Sequence, residues 1–246
     1  MRISSSFNVN LDTLSFNFTE LKKIAPQNDV IFMVKGNAYG HGILEVSRFA
    51  VNEIGITRLG CASLGEALYL RKQMPKLNCD IWVFSDLNLY TDIAKNAYKV
   101  KRIFPVISNL TELDYFLKTE EFKALPLILK LDTGMNRLGI SHFENEEVVK
   151  LIRSAGRTSI FHLMTHFSNS YILLKANDKT TRQYKDFINS RDYFRDNGIE
   201  VHESSVANSG AIEQSIGLNE SHIRPGLMLY GPSSCIQNNS NLKGKN

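Results

Sequence analysis

A lysine followed by a glycine-rich run, Lys35-Gly36-Asn37-Ala38-Tyr39-Gly40-His41-Gly42, is the first place where residue types and spacing suggest chemistry. Lys35 closes the apolar run Val30–Val34, and the glycines after it let the backbone turn tightly. In a crowded, partly desolvated mouth its amine would lose a proton easily and attack an aldehyde; on the surface it is an ordinary loop lysine. A second run, Lys130-Leu131-Asp132-Thr133-Gly134-Met135-Asn136-Arg137-Leu138-Gly139, offers the planar guanidinium of Arg137 to an oxygen anion, or carries a solvent-facing arginine. His162 and His166 stand four apart and share a face on an extended segment. No Glu or third ligand stands at a helpful spacing, so hydrogen-bonded core histidines are expected and no metal is predicted. Ala207-Asn208-Ser209-Gly210 and Arg224-Pro225-Gly226-Leu227 both read as N-terminal turns. There, unpaired N–H groups either receive a phosphate or are satisfied by routine capping.

These residues need elements to position them. Short apolar runs rich in branched residues recur near Val30–Val34, Leu59–Ala62, Ile81–Phe84, Ile103–Ile107, Pro126–Leu131, Ile160–Met164, Val201–Ser204 and His222–Arg224. Between them lie segments of helical spacing near Ile43–Ile54, Leu64–Gln73, Leu89–Asn96, Leu110–Leu117, Asn145–Ala155, Asp178–Asp196 and Asn208–Ser215. Strict alternation argues for parallel strands, and eight repeats argue for closure into a (β/α)8 barrel of the TIM type. An open doubly wound sheet is the rival that periodicity alone leaves standing. Before the barrel, Val9–Thr13 reads as a short strand running into a helix through about Ile24, capped by Asp12 or Thr13. The expected organisation is a barrel over residues 1–231, with 1–12 a leading strand segment. Residues 232–246, centred on Gln237-Asn238-Asn239-Ser240-Asn241, read as a polar linker or tail.

Composition narrows the function classes. The 246 residues are 43% hydrophobic and 22% charged, enough for a full core in one large domain or two small ones. The 29 Lys+Arg are interspersed among 25 Asp+Glu, so nucleic acid is not an expected partner, whereas a small anion suits the slight positive excess. No apolar run approaches the ~18 residues of a membrane helix, and Met1–Asn10 lacks the apolar core of a secretory signal. Cys61, Cys79 and Cys235 are too widely spaced for a disulfide framework or thiolate site, which predicts a reducing, cytoplasmic setting. There is no G-x-G-x-x-G, and Gly60 to Gly65 is followed by Glu66 rather than Lys.

Taken in order, these runs resemble the alanine racemase family. Val34–Gly42 is similar to that family's pyridoxal phosphate lysine motif, which usually has Ala at the place of Gly36; Leu131–Gly139 is similar to its second signature, commonly with Gly where Asn136 stands. Thr165-His166-Phe167, Ala207-Asn208-Ser209 and Arg224-Pro225-Gly226-Leu227-Met228-Leu229-Tyr230-Gly231 follow in the family's order, and the likeness runs from Val9 to Gly231.

The resemblance implies a barrel that binds pyridoxal 5′-phosphate as a Schiff base at Lys35 and racemises L-alanine to D-alanine by proton transfer at Cα. It assigns the phosphate to Tyr39, Asn208, Ser209, Gly226 and Leu227. Arg224 falls at the pyridine nitrogen with His166 beside it, Arg137 at the phenolic oxygen, and Lys130 becomes a candidate for carbamylation. A cation at the ring nitrogen keeps it unprotonated and the ring a weaker electron sink. The family's second base is a tyrosine of a β-rich C-terminal domain that reaches the partner subunit of a homodimer. Neither Tyr39 nor Tyr230 matches it, and this chain ends where that domain would begin, so impaired or absent racemase activity is expected. The resemblance further implies a bacterial, cytoplasmic isomerase whose D-alanine feeds peptidoglycan of the cell wall. Two alternatives stand beside it: a single-domain carrier of pyridoxal phosphate, and a pyridoxal phosphate racemase or decarboxylase for another amino acid. Decarboxylases of this barrel type generally place an acid near the ring nitrogen, so Arg224 favours the racemase side.

Overall fold

In the computed structural model, which describes residues 8–172 and 178–235, eight parallel strands close on themselves. They are β1 (Asp29–Met33), β2 (Arg58–Cys61), β3 (Asp80–Val83), β4 (Ile103–Ile107), β5 (Ile128–Asp132), β6 (Ser159–Met164), β7 (Glu200–Ser205) and β8 (His222–Ile223). Each pairs with the next, and β8 returns to β1 through Asp29↔His222 and Val30↔Ile223. A doubly wound sheet has two open edges, so this closure excludes it and establishes the (β/α)8 barrel of TIM type. A further two-residue strand, Ile140–Ser141, extends the pairing at the end of β5.

The outer layer is α1 (Leu11–Ile24), α2 (Ile43–Asn52), α3 (Leu64–Gln73), α4 (Asp92–Val100), α5 (Leu110–Lys118), α6 (Asn145–Ser154), α7 (Lys179–Asp196) and α8 (Ser209–Glu213). Side-chain oxygens start six of them: Asn10, Ser63, Thr91, Asn109, Asp178 and Asn208 each accept from the backbone N–H three residues on. Each such cap contributes about 1 kcal/mol. The strands obey the two-residue period of extended chain. On β1, Val30 and Phe32 face the helices, whereas Ile31 and Met33 face inward, where they meet Trp82, Val106, Ile128 and Met164. Two residues beyond these interior positions stand Lys35 after Met33, Lys130 after Ile128 and His166 after Met164. The inward phase that fills the barrel thus continues into its carboxyl-end mouth.

The N-terminal expectation fails in part. Residues 8–10 form no strand; α1 begins at Leu11, and its cap is Asn10, whose Oδ1 accepts from Thr13 N at 3.1 Å, rather than Asp12 or Thr13. An extended segment needs a partner strand, and among the described residues the closed barrel presents none to it. The helix expected at Leu89–Asn96 starts three residues later because Thr91, not an earlier residue, caps it. The proposed tail centre, Gln237–Asn241, lies outside the described residues, but Ser233, Ser234 and Cys235 are tied down by the carboxylate of Glu213. Cys61, Cys79 and Cys235 are free thiols. Among the described residues no helix is long and apolar enough to cross a membrane.

Candidate active site

The segment after β1 is not an irregular loop. Lys35–Tyr39 form one short helical turn with φ between +54° and +63° from Gly36 through Tyr39, the left-handed sense. Only glycine enters that region without cost, and Asn tolerates it better than most. Gly36 therefore suits its place where the family usually has Ala, while Ala38 and Tyr39 are held there by context. That context is visible. The Glu66 carboxylate on α3 accepts from Gly36 N at 2.7 Å and Ala62 N at 2.8 Å, and Asn37 Oδ1 accepts from Ile43 N at 2.9 Å, starting α2.

The segment after β5 is organised by Asp132. Its Oδ1 accepts from the backbone N–H groups of Gly134, Met135 and Asn136. Asn136 has φ +57°, which explains why Asn can replace the family's Gly there. Gly139 has φ +137°, and a Cβ on it would sit 2.5 Å from Asp132 N and Leu131 C. These constraints bring Arg137 to an exposed place on the rim and leave Lys130, on the strand itself, buried.

Ten residues singled out in the sequence border one cavity of about 580 Å³ at the barrel mouth. Lys35 and Tyr39 come from the end of β1, Lys130 and Arg137 from β5, and His166 from β6. Asn208 and Ser209 follow β7, and Arg224, Gly226 and Leu227 follow β8. Sequence reasoning missed Phe84 and Ser85, after β3, and Ser233 and Ser234. Only the rule that barrel sites collect at strand carboxyl ends could have flagged the first pair.

The cavity is strongly cationic. Burial, with Arg137 and Arg224 nearby, lowers the Lys35 pKa, opposed in part by Glu66. Burial and the charges of Arg224, Arg137 and Lys35 push Lys130 down to about 8. Burial and the same cations hold His166 well below its ordinary value, so it is neutral. Burial pushes Arg224 down to about 9, which still leaves it charged at neutral pH. Among the described residues no carboxylate forms an ion pair with Lys35, Lys130, Arg137 or Arg224. Buried cations without anions cost free energy, so the arrangement suits an anionic ligand.

The two expected phosphate turns are already in contact. Ser209 Oγ accepts from Gly226 N at 3.0 Å and Met228 N at 3.3 Å, linking the turn after β7 to that after β8. Asn208 spends its side chain on structure. Its Oδ1 caps α8, and its Nδ2 donates to Phe167 O and to His166 Nε2. For that side chain the capping reading holds, and any role toward phosphate falls to the backbone. Tyr230 lies 5.0 Å from Tyr39 and 4.9 Å from His41, ring centre to ring centre, and its hydroxyl donates to Met33 O at 2.9 Å. Burial raises its pKa, so it is no proton acceptor at neutral pH. His162 and His166 do not act together: His162 bonds Ser205 and Glu203 within the barrel, His166 faces the cavity.

The family model described as "Alanine racemase, N-terminal domain" matches residues 9–234. This chain belongs to the alanine racemase family. Alanine racemase from Helicobacter pylori strain G27 is 32% identical over 239 residues, covering 94% of this chain and 61% of the relative. The chain thus spans about three-fifths of the length of such curated relatives. The solved alanine racemase of Acinetobacter baumannii superposes with a TM-score of 0.74 at 27% identity, covering 91% of this chain and 59% of that one. The alanine racemase of Bartonella henselae, described with covalently bound pyridoxal phosphate, shares the fold at a TM-score of 0.79 and 22% identity, covering 96% and 66%.

Proposed function

We propose that this chain is the cofactor-binding barrel of a pyridoxal 5′-phosphate-dependent alanine racemase, with Lys35 as the residue that holds the cofactor covalently. The observation that carries this reading is the convergence of Lys35, Lys130, Arg137, His166 and Arg224 on one cavity without a paired carboxylate, beside the linked turns at Ser209 and Gly226. That donor set fits a ligand bearing an aldehyde, a phosphate and a phenolic oxygen. Lys35 supplies an amine whose proton burial weakens, as attack on an aldehyde requires. Tyr39, Ser209 and the backbone at Asn208, Gly226 and Leu227 would hold the phosphate, Arg137 the phenolic oxygen, and Arg224 the ring nitrogen, with neutral His166 beside it. Lys130 has the weakened amine that carbamylation needs. When bound, pyridoxal phosphate supplies the conjugated ring that takes up the electron pair left as alanine Cα loses its proton. Lys35 Nζ would accept and return that proton from one side of Cα, while Arg224 keeps the ring nitrogen free of a proton.

Racemisation needs a second base on the opposite side, and neither Tyr39 nor Tyr230 matches the tyrosine that the resemblance assigns to it. We infer that this chain holds the cofactor and turns over slowly or not at all by itself, and that a homodimer completes the site in the full-length cytoplasmic protein. The test is to incubate the chain with pyridoxal phosphate and alanine in D2O. Deuterium should enter Cα of one enantiomer faster than that enantiomer inverts, and Lys35→Ala should abolish the exchange. No exchange from either enantiomer, with Lys35 carrying the cofactor, would overturn the assignment of Lys35 as a base.

A further inference from the structure

Below the cavity, a line of side chains runs through the barrel interior from Arg224 to Arg58. Arg224 Nη1 donates to Ser205 Oγ, and Ser205 Oγ lies 2.7 Å from His162 Nε2. His162 Nδ1 is 3.3 Å from Glu203 Oε2, and Arg58 grips that carboxylate at 2.6 and 3.0 Å. Strand register builds the line: His162 on β6 stands opposite Glu203 on β7, and Ser205 is two residues further along β7. His162 and Ser205 are fully buried.

The hydrogen bonds have one consistent direction. A carboxylate can only accept, so the proton of His162 sits on Nδ1, facing Glu203. Burial holds His162 down at about 3, so the ring is neutral and Nε2 is bare. Ser205 must then donate to Nε2 while accepting from Arg224. The line reads Arg224 to Ser205 to His162 to Glu203, each donating to the next. By distance alone His162, Glu203 and His222 could gather a metal, since their ligand atoms lie within 4.8 Å of one another. The Arg58 guanidinium already occupies that role, bonded to Glu203 and to His222 Nε2, so the cluster is an arginine site.

We propose that Ser205 and His162 are positioning residues that aim Arg224 at the ring nitrogen of the cofactor; this rests on the functional reading above. Nη2 of Arg224 is held by the backbone carbonyls of Thr165 and Val206, whereas Nη1 is held by the Ser205 hydroxyl. Two neutral groups separate Arg224 from Glu203. The guanidinium is therefore restrained without being paired, and its full charge stays available to keep a proton off the ring nitrogen. A carboxylate directly on Arg224 would fix it equally well and weaken that effect.

The experiment compares the full chain with Ser205→Ala, His162→Leu and the double variant. It measures pyridoxal phosphate affinity, the absorbance maximum of the bound cofactor, thermal midpoint, and Lys35 modification after borohydride reduction. Ser205→Ala should weaken binding about tenfold, the worth of one hydrogen bond to a charged group, and shift the absorbance maximum while Lys35 is still modified. His162→Leu should do the same, and the double variant should be no worse than either single one, because all three cut one line. A Ser205→Ala chain with unchanged affinity and spectrum, whatever its thermal midpoint, overturns the proposal by leaving the line a purely structural device. A wild-type chain that captures no aldehyde at Lys35 takes down the functional reading and this inference together.

Discussion

The Glu66 carboxylate accepts the backbone N–H of Gly36 at 2.7 Å, one residue beyond Lys35, and with its other oxygen the N–H of Ala62 at 2.8 Å. One side chain on α3 thereby ties the end of β1 to the end of β2 and sets a negative charge beside Lys35. Burial, Arg137 and Arg224 drive the Lys35 amine toward neutrality, and Glu66 opposes them. The left-handed turn and the amine's protonation thus depend on the same carboxylate.

Glu66→Gln removes the charge and keeps one acceptor. The pH midpoint for reductive modification of Lys35 should move down, since a nearby charge that favours its ammonium form is gone. Denaturant titration should show a loss of about 1–3 kcal/mol, from a backbone N–H left without its acceptor. An unmoved midpoint would mean that Glu66 shapes the turn without acting on the amine.

Two glycines separate conformational strain from collision. Gly36 has φ +63° with nothing within 4 Å of a built Cβ, so Gly36→Ala should cost about 1 kcal/mol, the left-handed penalty alone. At Gly139 a Cβ meets backbone at 2.5 Å, and the strand end would have to move. Gly139→Ala should cost more than about 3 kcal/mol or prevent folding. Equal costs in urea titrations would contradict the geometry described for the β5 turn.

Lys130 makes stability depend on pH. Its pKa falls from 10.5 in the unfolded chain to about 8 when folded, so between these values the unfolded chain binds more protons and stability rises with pH. The penalty for burying the ammonium is complete below about pH 8 and gone above 10.5. Lys130→Met, without cofactor, should therefore be more stable than wild type at pH 7, with an advantage that shrinks from pH 8 upward. Thermal midpoints measured across that range test the sign.

Ser209 connects the two turns that would hold the phosphate, through Gly226 N and Met228 N. Pyridoxal phosphate should raise the thermal midpoint more than pyridoxal does, because only the former engages them. Ser209→Ala should reduce that difference and cost about 1–3 kcal/mol of stability through the amides it leaves unsatisfied. Equal midpoint shifts from the two ligands would place the phosphate elsewhere.

Much of this was legible in the sequence for identifiable reasons. Strands announced themselves because their outward residues, such as Val30 and Phe32, are as apolar as the inward Ile31 and Met33. Lys35 stands out as a charge ending an apolar run, which is where the inward phase reaches the mouth, whereas Lys130 and Arg224 take their roles from the family resemblance. The turn after Lys35 read as loop because a left-handed helical turn has no periodicity to detect. Glu66 carries no signal in the sequence beyond its place in the Leu64–Gln73 segment, since its partners are backbone groups that leave no trace in side-chain pattern. His162 reads in the sequence as a hydrogen-bonded core histidine, and it is one; Ser205 gives no such signal, and what joins the two is the register between β6 and β7, which adjacent letters do not encode.

The most direct test of the central claim is to incubate the chain with pyridoxal phosphate, reduce with borohydride, and locate modified lysines by peptide mass analysis. Modification concentrated on Lys35 is the predicted result, and it should disappear in Lys35→Ala without moving to another residue. Modification that is absent, or spread over surface lysines, would contradict the account: the cavity at the barrel mouth would then not be a pyridoxal phosphate site in this chain.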